Sequence, residues 1–206
     1  PHLLTIDLEK SGAGDEIDRA LIENGLAPQF VVNNAGFGLV GAVESRDRSE
    51  QLSMIDLNIR TLTDFSLRWL ESMTAHRGGL LNVASVAGFL PGPGSAVYYA
   101  TKAFVVSFTE ALHQEWKGRG LRITVLCPGP VETGFQERAG IVNGKGPGLL
   151  EVPAARVAEE GYRGLMTGRR RVVPGAFNKV IVGLSGIMPR RPLLAGVERH
   201  QRGRAK

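Results

Sequence analysis

Short apolar runs alternate with longer stretches of helical spacing along this chain, and that alternation leaves few folds open to it. Residues 3–8 (Leu-Leu-Thr-Ile-Asp-Leu), 30–33, 80–84 and 121–127 are brief and apolar, as buried strands are. Leu52, Ile55, Ile59, Leu62 and Leu70 recur at helical spacing and predict one long helix over roughly 47–75, ended by Gly78-Gly79. Further helices are predicted over 15–24 (stopped by Gly25), 97–117 and 153–166, with a strand near 171–174. Residues 134–150 read as a Gly-rich loop, and an amphipathic segment runs on to Met188. No repeat or low-complexity linker interrupts the pattern. It predicts an α/β fold in one domain: a doubly wound parallel sheet covered by helices.

Composition narrows the class. With 206 residues, 43% hydrophobic and 22% charged, the chain can bury a substantial core. Its longest apolar run, Val180 to Met188, falls short of the ~18 residues of a membrane span. Cys127 is the only cysteine, which excludes an intrachain disulfide and predicts a reducing, cytoplasmic setting. The four histidines have no metal-ligand spacing, so no metal is expected.

The net charge of +5 is unevenly spread. Residues 168–206 hold ten Lys/Arg against one acid, Glu198, while the remainder is mildly acidic. Residues 189–206 read as a basic C-terminal tail following a domain over 1–188. No aromatic residue is interleaved within its basic stretches, so nucleic acid is not an expected partner. Contact with an anionic membrane surface stays open beside a solvated, frayed tail.

The candidate chemistry gathers at the strand ends. Ligands of doubly wound sheets sit beyond the carboxyl ends of the strands. Here those ends carry Asp7, then Asn33 to Gly36, then Ser85, then Pro128 to Thr133. Ser85 stands thirteen residues before Tyr98, and Lys102 follows four residues later. A phenol has a pKa of about 10 and is a poor acid–base group at neutral pH. A lysine one helical turn away shares its face and favours the phenolate. A serine hydroxyl from a strand end can then hold a substrate oxygen against the phenol. Ser11-Gly12-Ala13-Gly14 mimics the start of a phosphate-binding fingerprint, but Ile17 stands where the third glycine belongs, and Asp15 and Glu16 would repel a phosphate. It reads as a turn.

Taken together, Asp7-Leu8, Asn33-Asn34-Ala35-Gly36, Asn58, Ser85, Tyr98-x-x-x-Lys102 and Pro128-Gly129-Pro130-Val131-x-Thr133 resemble the short-chain dehydrogenase/reductase family, in its order and near its spacing. The resemblance implies a Rossmann-like oxidoreductase that transfers a hydride between NAD or NADP and a carbonyl or secondary alcohol. It implies Tyr98 as general acid or base, Ser85 on the substrate oxygen, and Lys102 lowering the tyrosine pKa and gripping the nicotinamide ribose. Asn58 would hold a relay water. Asp7 and Leu8 would meet the adenine, and Asn33, Asn34, Ala35 and Gly36 would pass near the ribose. Pro128, Gly129, Val131 and Thr133 would form the nicotinamide loop. A lipophilic small-molecule substrate is expected from the apolar 134–150 loop and Phe89-Leu90, and a homodimer or homotetramer through the two long helices.

By the same comparison the chain begins at the family's third strand, with its glycine-rich cofactor loop lying before Pro1. The expectation is an N-terminally truncated fragment in which strand 30–33 becomes an apolar edge. The alternative function is a non-catalytic fragment or scaffold that keeps the fold without binding a dinucleotide.

Overall fold

A computed structural model describes residues 2–141, 148 and 150–202. Helix α1 (Ala13–Glu23) ends where Gly25 takes a left-handed turn (φ 63) that lets Leu26 N–H reach back to the Leu21 carbonyl. Strand β1 (Phe30–Asn33) follows. Helix α2 (Arg48–Ile55) starts at Asp47, whose carboxylate accepts from Ser49 N (2.6 Å) and Glu50 N (3.2 Å). A π-helical turn (Asp56–Thr61) leads into α3 (Leu62–Arg68), and α4 (Leu70–Ala75) completes the run. Strand β2 (Gly79–Val83), helix α5 (Ala96–Glu115) and strand β3 (Arg122–Leu126) come next. Then follow α6 (Phe135–Arg138), α7 (Ala154–Met166), β4 (Arg171–Val172), α8 (Ala176–Ser185) and α9 (Arg190–Arg202).

The four strands pair in parallel in the order β1-β2-β3-β4. Side chains alternate between two buried faces, as a helix-covered parallel sheet requires. Leu80, Ile123 and Val125 join Met73, Val105 and Leu112 on one face. Leu81, Leu126 and Val172 meet Val157 and Leu165 of α7 on the other. This is the α/β arrangement the alternating pattern predicts.

Three expectations are corrected. Residues 3–8 form no strand: among the described residues no strand pairs with them, Leu3 is 94% exposed, and residues 8–10 close a turn instead. The predicted long helix over 47–75 is broken twice, by the π turn and again at Trp69 (φ −113). The C-terminal segment is not frayed over 190–202, because α9 buries Leu193 and Gln201 against the body. The expected apolar edge is present: Phe30 and Val32 of β1 are 39% and 56% exposed.

Candidate active site

The carboxyl ends of β2 and β3 bring the first candidate residues together. Ser85 is extended just past β2 (φ −168), and its Oγ accepts from Ala87 N at 3.1 Å, capping the 3-10 turn Val86–Phe89. The same hydroxyl donates to the Pro128 carbonyl at 3.4 Å, which also accepts from Val86 N at 2.9 Å. The serine turn and the Pro128 loop are thereby tied.

Helix α5 supplies Tyr98 from its first turn and Lys102 one turn later. The Lys102 ammonium donates to the Val83 carbonyl at 2.9 Å and lies 6.0 Å from the Tyr98 ring centroid. Burial lowers the lysine pKa from its ordinary 10.5 to about 8, against a smaller opposite push from Cys127. Burial likewise raises the Cys127 thiol to about 12, so it stays neutral.

Asn58 sits in the π turn and is 1% exposed. Its Nδ2 donates to the Phe37 carbonyl (2.9 Å) and to Thr101 Oγ1 (3.1 Å), while its Oδ1 accepts from Phe37 N (3.2 Å). The widened turn accompanies this inward amide, and such turns recur at functional sites. Gly36 is pinned here for want of space: a Cβ would stand 2.7 Å from Asn58 Oδ1 and 3.6 Å from Lys102 Nζ.

A lid covers the tyrosine. Phe135 of α6 rests on the Tyr98 ring with centroids 5.5 Å apart, and both rings close over Gly38, where a Cβ would approach Phe135 to 2.8 Å. Ala139 O accepts from Val40 N at 3.0 Å, Arg138 stacks over Phe37 at 4.4 Å, and Arg138 pairs with Glu50 at 3.3 Å. On the other side Tyr99 packs over Gly92, and its hydroxyl accepts from Gln201 Nε2 of α9 at 3.0 Å.

The family profile described as short chain dehydrogenase matches residues 2–144, more than half of the chain. This chain belongs to the short chain dehydrogenase family. Sulfoacetaldehyde reductase of Chromohalobacter salexigens is 36% identical over 137 residues, covering 65% of this chain and 54% of the relative. A 4-hydroxyisoleucine dehydrogenase complexed with NADH aligns at TM-score 0.60 and 25% identity over 65% of this chain and 56% of that one. A 7beta-hydroxysteroid dehydrogenase aligns at TM-score 0.78 over 93% of this chain and 74% of that one; at 22% identity it speaks to the fold alone. The chain spans about half the length of the curated relatives it matches.

The remaining expected residues divide. Leu8, Asn33, Asn34 and Ala35 line one cleft at the end of β1, with Thr61 Oγ1 donating to the Leu8 carbonyl at 2.7 Å. The Asn33 side chain, however, points into the core. Its Nδ2 donates to Asn82 Oδ1 (2.9 Å), Ser66 Oγ (3.1 Å) and the Leu62 carbonyl (3.4 Å), so its amide nitrogen is committed to the core. Asp7 is exposed and occupied by its own turn, accepting from Glu9 N at 3.1 Å and pairing with Lys10 at 3.8 Å. Thr133 Oγ1 accepts from Phe135 N at 3.3 Å, and Val131 packs on the α7 face. Gly129 lies against Asn178, whose Nδ2 donates to the Leu150 (3.1 Å) and Pro174 (2.8 Å) carbonyls. Phe135, Gly38, Asn178 and Gln201 are absent from the sequence-derived site. Only the glycine at 38, closing Asn-Asn-Ala-Gly-Phe-Gly, could have been singled out.

The donor set around Lys102 fits the nicotinamide–ribose end of a dinucleotide. An ammonium has three donors. Lys102 spends one on Val83, and among the described residues no carboxylate pairs with it. The Gly12–Gly14 turn does not fit a phosphate. Gly14 lies 2.6 Å (as a built Cβ) from the Arg68 guanidinium, which is bound to Asp15, Asp18 and Asp64.

Proposed function

We propose that this chain carries the reaction centre of an NAD(P)-dependent oxidoreductase that interconverts a carbonyl and a secondary alcohol. The observation behind this reading is Lys102: a buried ammonium without a carboxylate partner among the described residues, 6.0 Å from the ring of Tyr98. Burying a lysine in this way is costly and persists where function uses it.

In the reductive direction the Tyr98 hydroxyl gives its proton to the carbonyl oxygen. Ser85 Oγ donates to the same oxygen and stabilises its developing charge. The Lys102 ammonium favours the phenolate that remains and holds the ribose hydroxyls. Asn58, fastened to the Phe37 backbone, orients a water for returning a proton toward Lys102. Asn34, Ala35 and Gly36 flank the ribose, Leu8 the adenine, and Pro128, Gly129, Val131 and Thr133 the carboxamide. The nicotinamide, when bound, supplies or accepts the hydride. NAD and NADP are not distinguished by these groups.

The substrate is a small lipophilic carbonyl or alcohol, since Phe135 and Tyr99, the rings packed against Tyr98, are the neighbours a guest would meet. Leu52, Ile55 and Leu67 on α2 and α3 and Phe104 on α5 are exposed, which supports a homodimer or homotetramer through these helices. A second reading, a fold without dinucleotide binding, is favoured by the Gly12–Gly14 turn that Arg68 fills.

The deciding experiment measures reduced-nicotinamide consumption with a panel of lipophilic aldehydes and ketones, and cofactor binding by nicotinamide fluorescence. Tyr98→Phe should reduce turnover by ~10²–10⁴-fold while leaving binding intact. Equal turnover in the variant refutes the role of Tyr98. Absence of binding in the unmodified chain favours the second reading.

A further inference from the structure

A helix at a protein surface normally turns polar residues to water, and α8 does not. It buries Asn178 and Ser185 and turns Phe177, Val180 and Leu184 outward at 51%, 55% and 44% exposure. Ile187, 78% exposed, continues the same spacing just past its end. The only charged residue within α8 is Lys179. A stripe of large apolar side chains at helical spacing, left uncovered, marks an interaction surface rather than a scatter of exposed residues.

What the stripe fits is told by the charge around it. Arg190 and Arg191 open α9 directly after the stripe, and both are exposed. With Lys179 they form no ion pair among the described residues. Glu198, the one acid in residues 168–206, is paired with Arg202 at 2.6 Å. A second copy on this face would add more unpaired cations. An anionic lipid surface offers both an apolar layer for the stripe and phosphates for the cations.

We propose that α8 and the start of α9 dock this protein onto anionic membranes, with α8 in the plane of the interface. Phe177, Val180, Leu184 and Ile187 enter the acyl boundary, while Lys179, Arg190 and Arg191 meet the headgroup phosphates. The docked unit is joined to the candidate site, because α9 carries Gln201 to Tyr99 beside Tyr98. The docking does not depend on the hydride-transfer reading, and its test needs no turnover.

The test is co-sedimentation of the full 206-residue chain with vesicles of phosphatidylcholine alone or with one-third phosphatidylglycerol. Binding is expected to the anionic vesicles, to weaken with salt, and to fall about tenfold or more in Val180→Ser/Leu184→Ser and in Arg190→Glu/Arg191→Glu. All four positions are exposed, and circular dichroism checks that each variant stays folded. Binding that is absent, or that persists in both variants, overturns the proposal. So does sizing by light scattering that shows a lipid-free dimer dissociated by Leu184→Ser, since the stripe would then be a contact between copies.

Discussion

Phe135 lies on the ring of Tyr98, centroid to centroid 5.5 Å, and the contact exists because Gly38 beneath them has no side chain. The residue proposed to move the proton is therefore sheltered by a phenylalanine from a four-residue helix. Between them, Gly38 and Phe135 set how much room is left beside the phenol.

Phe135→Ala should widen that room. Bulky ketones are expected to gain in kcat/KM relative to small aldehydes, by about ten- to hundredfold in the ratio. Gly38→Ala should act the other way, since the new methyl, 2.8 Å from Phe135 and 3.0 Å from Tyr98, would push both rings into that room. Steady-state kinetics on a size series checks both, and an unchanged ratio in both variants removes Phe135 from the substrate wall.

Lys102 makes stability rise with pH, the same sense as in acid denaturation but in an alkaline window. Its folded pKa is about 8 against an ordinary 10.5. Below pH 8 both states are protonated and the folded state bears the full cost of the buried charge. Between those values the unfolded chain binds more protons, so the contribution to stability rises with pH, by about 3 kcal/mol in total. Lys102→Met should be more stable than the unmodified chain at pH 7, with the difference shrinking towards pH 10. Urea denaturation at several pH values measures it; a difference constant with pH contradicts the assignment.

Asn33 is expected to matter for folding rather than for cofactor affinity. Its amide joins Asn82, Ser66 and the Leu62 carbonyl, and Asn82 continues to Thr109 Oγ1 at 3.0 Å. Asn33→Ala would leave buried acceptors short of a donor and cost about 1–3 kcal/mol. Denaturant unfolding should show this loss with nicotinamide binding preserved; the reverse outcome assigns the side chain to the cofactor.

The open edge of β1 predicts self-association. Val32, 56% exposed, presents an apolar side chain on a strand edge that pairs with no further strand among the described residues. Val32→Lys should slow aggregation on concentration or mild heating, by several-fold in light-scattering rate, with circular dichroism unchanged. An unaltered rate directs attention to the α8 stripe instead.

Local pattern was enough to read the parallel sheet, the places of its four strands, and the helical turn that sets Lys102 beside Tyr98. Alternating apolar runs, capping residues and a four-residue helical repeat are all written within a few neighbours of each residue. Packing decided the rest. Residues 3–8 have the composition of a strand but pair with no strand among the described residues. Asn33 and Asn34 are the same residue type in adjacent positions, yet the pleat sends one amide into the core and leaves the other exposed at the cleft. Asn58 owes its inward aim to a π turn that no propensity signals. Phe135 and Gln201 reach the tyrosines from 37 and 102 residues away along the chain. Such contacts depend on where the folded backbone returns, and no short window of residues holds that information.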